Sequence, residues 1–494
     1  LALTIVTHPD LSRWGETAML SAGCVLTRTT PQFIAPGGTE GRGVENPHVS
    51  RRPVIEIRGD AEKAEIRYLH DDAYVHVNGH RVGGTMILNA DQLLNGVLLE
   101  IEGYVGLMLH TRFAPPKVLS EFGMVGISPP IEALRERLST VANLDLTVLL
   151  RGETGTGKEL AAQAIHTVSD RRNERMLAVN LGALESSVIA SELFGHVRGA
   201  FTGAADARRG FFRDCDHGTL FLDEVGEAPN EVQRSLLRVL ETGEVVPVGA
   251  DRPVKTDVRV IAATDADLEA SIKERDFRAP LFHRLAEYEV RLPTLRERRL
   301  DIPLIFRHFL REHARLAGLD SRIEGSEPWI PTKTMRRLLD HDWPGNAREL
   351  RNVVGTALLN TPEGSDIALG ARFERTLDLK SARLDSSSTG VAIPIAIPVV
   401  PTRRDLSEIS DEELLQALQD NDWRPEPAAA QLGIAKTSIY QLIRANGTIP
   451  QSAKLTETEV RDALAASDHV SDAAATLRVP KRGLLHRMKK LGLS

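Results

Sequence analysis

The chain has 494 residues, 42% of them apolar and 26% charged, which is material for about three or four domains with cores of their own. With 61 basic and 68 acidic residues the net charge is −7, excluding a uniform basic coat for nucleic acid or anionic lipid. No stretch approaches about 18 uninterrupted apolar residues, which excludes a membrane-spanning helix. Only Cys24 and Cys215 are present, too few for a disulfide framework, and the opening LALTIVTHPDLSRWGE lacks the pattern of a signal peptide. A cytoplasmic multidomain protein is expected.

Residues 1–118 contain short runs of alternating polarity, such as Ala64–Leu69 and Tyr74–Val77, with turns at Asn78-Gly79 and Gly83-Gly84. This predicts a β-sandwich closed by Pro115-Pro116. Across residues 119–375 apolar strands alternate with helical patterns: Leu146–Leu150, Glu159–Val168, Thr219–Leu222 and Val258–Ala262. Such alternation predicts an α/β domain with a parallel sheet, and the helical stretch from about 300 to 375 reads as a lid.

Within that domain, Gly152-Glu153-Thr154-Gly155-Thr156-Gly157-Lys158 follows a strand and opens a helix, the arrangement of a P-loop. Glycines let backbone N–H groups close on phosphates, the helix N-terminus adds its positive end, and Lys158 reaches the outer phosphates. Glu159 stands where Ser or Thr usually ligates Mg²⁺. The strand Thr219–Leu222 runs into Asp223-Glu224, where ligands of open α/β sheets bind. Asp223 is expected to hold Mg²⁺ and Glu224 to polarise the attacking water.

Residues 376–405 contain SSSTG and VAIPIAIPVVP, whose prolines forbid a regular helix; a linker partly in polyproline II or an apolar tract docked on a neighbour both fit. The last ninety residues carry a weak repeat. Ala417-Leu418 corresponds to Ala463-Leu464, Ala429–Ile434 to Ala474–Val479, and Ile439, Ile443 and Gly447 to Leu484, Met488 and Gly492. Two all-α helix-turn-helix units are predicted, over 406–450 and 451–494.

The sequence GETGTGKE (Gly152–Glu159) resembles the AAA+ domain of bacterial sigma-54-dependent transcription activators. So do Gly199-Ala200-Phe201-Thr202-Gly203-Ala204, the family's GAFTGA loop, and WPGNARELRN (Trp343–Asn352). The resemblance implies ATP and Mg²⁺ as cofactors, sigma-54 RNA polymerase as the partner of Phe201 and Thr202, and a ring, a hexamer in the family. It also implies Asn180 as a restraint on Glu224, Thr264 as a γ-phosphate sensor, and Arg348 as a second sensor. Arg278 and Arg284 would reach the neighbouring subunit's nucleotide. Two positions depart from the pattern: Asp265 replaces the usual Asn, and Pro280 the usual Asp.

Residues 428–445 resemble the Fis-type helix-turn-helix. The resemblance offers Lys436, Thr437, Ser438, Tyr440, Gln441 and Arg444 to the major groove of double-stranded DNA. In the second copy Arg478–Lys490 holds six basic residues and no acidic one, suited to phosphates through Lys481, Arg482 and Arg487. The N-terminal sandwich resembles a forkhead-associated (FHA) domain, a phosphothreonine-recognition fold. That implies phosphopeptide contact by Arg28, Ser50, Arg51 and Asn78, although Thr27, Pro53 and Ala73 depart from the family pattern. Gly41-Arg42 is the literal dipeptide of that family, but Arg28 follows a strand and is preferred. The expected function is an ATP-driven activator of sigma-54 polymerase. An ATPase of another purpose and a DNA-bound adaptor with a disabled ATPase are the alternatives.

Overall fold

The structure is a computed structural model. It describes residues 1–21, 23–69, 75–81, 84–201, 204, 206–323, 330–361, 367, 369–370, 373–374, 410–420, 425–432, 439, 442, 456–465, 476–477, 484, 487–488 and 491. The chain divides into two compact units, Leu1–Ser388 and Thr389–Ser494.

The first unit begins with two antiparallel sheets. One has eight strands in the order Gly41–Arg42, Phe33–Ile34, Thr17–Met19, Ala2–Thr7, Val105–His110, Val97–Ile101, Val75–Val77 and His80–Arg81. The other has four: Thr85–Asn89, Lys63–Tyr68, Ile55–Gly59 and Cys24–Leu26. Strands of the small sheet alternate as the sequence predicts, with Ile55, Ile57, Ala64 and Ile66 facing inward. The central strands Ala2–Thr7 and Val105–His110 are instead buried along their whole length. Leu3, Ile5, Leu107 and Leu109 fill the sandwich, whereas Val6, Leu98 and Met108 join the core of the distant lid. A continuous apolar run is what a strand covered on both faces requires.

The α/β part has a five-stranded parallel sheet in the order Met176–Asn180, Thr219–Asp223, Arg259–Thr264, Val148–Arg151 and Tyr288–Arg291. Leu149, Leu222 and Ala262 face one layer of helices, and Leu150, Phe221 and Ala263 the other. The carboxyl edge therefore gathers Asn180, Asp223, Thr264 and the P-loop. The lid comprises Ile302–Ala317, Asp320–Ile323, Thr332–Leu339 and Asn346–Asn360. The buried Asp301 that precedes it accepts hydrogen bonds from Ile127 N (2.7 Å), Ser128 N (2.8 Å) and Ser128 Oγ (2.6 Å), so it anchors the segment leading into the helix Pro129–Ala142 across the fold.

In the second unit Asp411–Asp420 packs on Pro425–Leu432 through Leu414, Ala417, Leu418, Ala428, Ala429 and Leu432, with Ile439 in the same cluster. Glu457–Ala465 is a further helix; Val460 and Ala463 are buried, and Leu484 fills the position matching Ile439 in the repeat. The proline-bearing segment 376–405 lies outside the described residues. Among the described residues no helix is long and apolar enough to cross a membrane.

Candidate nucleotide site

The P-loop leaves its strand at Arg151 and returns as the helix Lys158–Val168. Gly155 and Gly157 have φ of +80° and +105°, a region costly for any residue with a Cβ. A Cβ on Gly155 would also overlap the carbonyl oxygen of Gly345 in the lid, so the loop and the lid touch backbone to backbone. The first N–H groups of the helix and the turn before it make a cradle that fits polyphosphate. Lys158 Nζ donates to Gly152 O (2.9 Å) and lies 3.7 Å from Glu224 Oε1. Glu159 is exposed in the first turn.

Asp223 Oδ2 accepts from Asn180 Nδ2 at 3.2 Å. Asn180 thus restrains Asp223, while Glu224, in the left-handed region at φ 52°, turns toward Lys158 instead. Burial pushes the Glu224 carboxyl up, opposed by the Lys158 charge and reinforced by Asp265. Thr264 is buried and spends its hydroxyl on the N–H of Ala266 (3.1 Å). Asp265 is the neighbour that touches the P-loop, accepting from Thr154 Oγ1 at 2.6 Å, a bond that holds its carboxyl below the usual range.

The lid grips the same loop. Asn346, fully buried, donates from Nδ2 to Glu153 Oε2 and Thr154 O, both at 3.1 Å, and Ala347 N donates to Gly155 O (3.1 Å). Arg296 pairs with Glu153 and holds that carboxyl low. Sequence reasoning missed Asn346, Arg296 and the Asp265–Thr154 bond. Asn346 lies within the GNAREL motif, two residues before Arg348, and that adjacency was its only signal. Arg348 is exposed, with its Cβ 3.1 Å from where a Gly155 Cβ would lie.

Arg278 precedes the helix Ala279–Leu285, and its backbone N donates to the buried Gln233 Oε1 (2.9 Å). Pro280 sits in the first turn, where a missing N–H leaves no bond unmade, so the helix survives the change from Asp. Arg284 donates to Leu240 O (2.9 Å) and pairs with Glu287 of its own chain.

Of the loop 199–204, Thr202 and Gly203 lie outside the described residues. Its base is closed by Gly199 N to Ala204 O (2.9 Å) and Ala204 N to Phe201 O (3.0 Å). Phe201 is 44% exposed, with its ring 5.1 Å from that of His196. His196 is itself held by Ser191 Oγ (2.7 Å) and Asp206 O (2.9 Å). A hydrogen-bonded base thus carries an exposed aromatic ring.

Residues 124–291 match the sigma-54 interaction domain, and residues 296–380 match the AAA+ ATPase lid domain. The transcriptional regulatory protein ZraR of Escherichia coli O157:H7 is 39% identical over 342 residues, covering 68% of this chain and 73% of ZraR. The chain belongs to the sigma-54-dependent transcriptional activators. Its central domain is an AAA+ ATPase domain with its lid. The DNA-binding transcriptional activator HyfR of Escherichia coli K12 is 39% identical over 337 residues, 67% of this chain and 49% of HyfR. NorR1 of Cupriavidus necator, a nitric oxide reductase transcription regulator, is 41% identical over 337 residues, 66% of this chain and 64% of NorR1. The chain therefore spans about half to two thirds of these two relatives. The crystal structure of NtrX from Brucella abortus in complex with ATP has 29% identity and a TM-score of 0.46, covering 66% of this chain and 69% of that one.

In the sandwich Arg28 and Ser50 are brought together, Arg28 N donating to Ser50 O (2.8 Å), and Ser50 and Arg51 are exposed. The Arg28 guanidinium is spent on the carbonyls of Val49 and Pro47. Asn78 Oδ1 accepts from Leu98 N (2.9 Å), an internal bond of the large sheet. Of the candidate DNA contacts, Lys436, Thr437, Ser438, Tyr440, Gln441, Arg444, Lys481 and Arg482 lie outside the described residues; Arg487 is half-buried.

Proposed function

We propose that the protein uses ATP hydrolysis to press the 199–204 loop onto sigma-54 and so open the closed polymerase complex. The observation that carries this reading is a single domain holding both a P-loop lysine set against Asp223-Glu224 and an exposed Phe201 on a fixed base. Lys158, Asn346 and Arg348 hold the nucleotide against the lid, and Glu224 orients water once phosphate draws Lys158 away from it. Asp223, released from Asn180, has the chemistry to hold Mg²⁺, which when bound neutralises phosphate charge. One carboxylate together with phosphate oxygens and retained waters suffices for that ion. Arg278 and Arg284 act on the neighbouring subunit's nucleotide, which requires a ring, with six subunits expected.

In this reading the C-terminal helices bind double-stranded DNA upstream of the promoter, and the protein works in the cytoplasm. The sandwich receives a phosphothreonine protein through Arg28, Ser50 and Arg51, with Arg28 leaving its carbonyl partners for phosphate. Open-complex formation with sigma-54 polymerase tests the core of the reading. The native chain opens the promoter with ATP, and Lys158→Ala and Thr202→Ala each abolish opening. Activity surviving either substitution overturns it.

A further inference from the structure

The sandwich does not hang from a linker; it stands on the lid. Leu11, Trp14, Val6, Leu98 and Met108 share one core with Ile302, Leu304, Phe306, Met335 and Leu338. Arg307, 5% exposed, reaches out of the first lid helix to donate to Leu11 O (2.8 Å) and Trp14 O (2.7 Å). A buried cation with two carbonyl partners cannot leave them for an apolar surround without loss, so this footing is fixed in register as well as in area.

The second foothold is the lid helix Thr332–Leu339. The buried Glu100 accepts from Arg336 Nη1 at 2.8 Å, and that guanidinium lies so close over Gly79 that a Cβ there would overlap it. Thr332 N, one of the free donors at the helix start, is satisfied by Gly103 O of the sandwich (3.3 Å). The far end of the same helix leads straight to the nucleotide site. Leu338 O accepts from Trp343 Nε1 (2.9 Å), Trp343 O accepts from Asn346 N (2.8 Å), and Asn346 holds Glu153 and Thr154 of the P-loop. The links are hydrogen bonds joined by one short helix, buried at Trp343 and part-buried at Arg336 and Asn346, and they run without a break from the sandwich to the P-loop.

We infer that Arg336 and its sandwich partner Glu100 are positioning residues for nucleotide, setting the angle at which the lid's Asn346 grips the P-loop. Lid and sandwich then move as one piece whenever nucleotide moves the lid. This rests on the ATPase reading but not on any phosphopeptide ligand.

Charge exchange tests it on the full chain, with ADP affinity by calorimetry and KM and kcat for ATP as readouts. Glu100→Arg and Arg336→Glu each weaken ADP binding and raise KM about fivefold or more, with kcat within about twofold. The double exchange restores both. Single variants that melt as the native chain does and bind ADP equally well overturn the inference. So does a double exchange no better than the singles. If the singles do not fold, hydrogen exchange on the native chain decides. With saturating ADP, protection rises in Glu100–Tyr104 together with Thr332–Leu339; unchanged exchange in Glu100–Tyr104 overturns the inference. Absence of ATP turnover in the native chain, with ADP binding shifted as expected, would count against the ATPase reading alone.

Discussion

At the scale of single residues, the chemistry-bearing groups of the site are paired with one another. Lys158 is occupied by Gly152 O and Glu224, Asp223 by Asn180, and Glu153 by Arg296 and Asn346. The P-loop and the Asp-Glu pair were legible because glycine spacing and a buried strand leave few other readings. The partner exchange among Asn180, Glu224 and Asp265 was not, because it depends on side chains from three strand ends meeting across the sheet. One residue outside the site carries a pH signature. His110 is buried, touches Thr4 Oγ1 at 2.9 Å, and burial pushes its pKa down to about 4. The folded state thus refuses a proton that the unfolded chain accepts near pH 6.5. Stability is full above about pH 6.5, falls by about 3 kcal/mol as pH drops toward 4, and levels below that. Denaturant titrations at pH 7 and pH 4.5 measure it. His110→Gln, which keeps a donor for Thr4, flattens that part of the slope; an unchanged slope contradicts the assignment.

At the scale of elements, alternation and glycine turns forecast strands and helices where they occur: Lys63–Tyr68, Val148–Arg151, Thr219–Asp223 and Arg259–Thr264 lie within a residue or two of their expected places. What the pattern could not reveal is which surface covers a strand. Ala2–Thr7 and Val105–His110 are buried along their whole length, and only the fold assigns one face of each to the lid. Trp14 tests that assignment. It is 2% exposed, bonds His8 O through Nε1 (2.9 Å) and belongs to the lid's core rather than the sandwich's own. Trp14→Ala should cost about 3–5 kcal/mol. In a scanning calorimeter that loss lowers the transition of the lid together with that of the sandwich. A variant that melts the sandwich early and leaves the lid's transition in place contradicts the shared core.

At the scale of the whole molecule, the partition into a sensory sandwich, an ATPase with lid and a DNA-reading end was drawn from composition shifts, and the first two prove to be one compact unit. The net charge of −7 belongs to the whole chain and hides its distribution, since six basic residues cluster within Arg478–Lys490. The proposed coupling would spend hydrolysis at the sheet edge through Phe201 on a partner. It is tested most directly by measuring ATP turnover and sigma-54-dependent promoter opening in the same reaction with Phe201→Ala. The ring stands exposed beside His196, on the loop base rather than at the strand ends that carry Asp223 and Thr264. Turnover within about twofold of the native chain and no open complex are expected. Promoter opening at the native level, or loss of turnover together with opening, would contradict it.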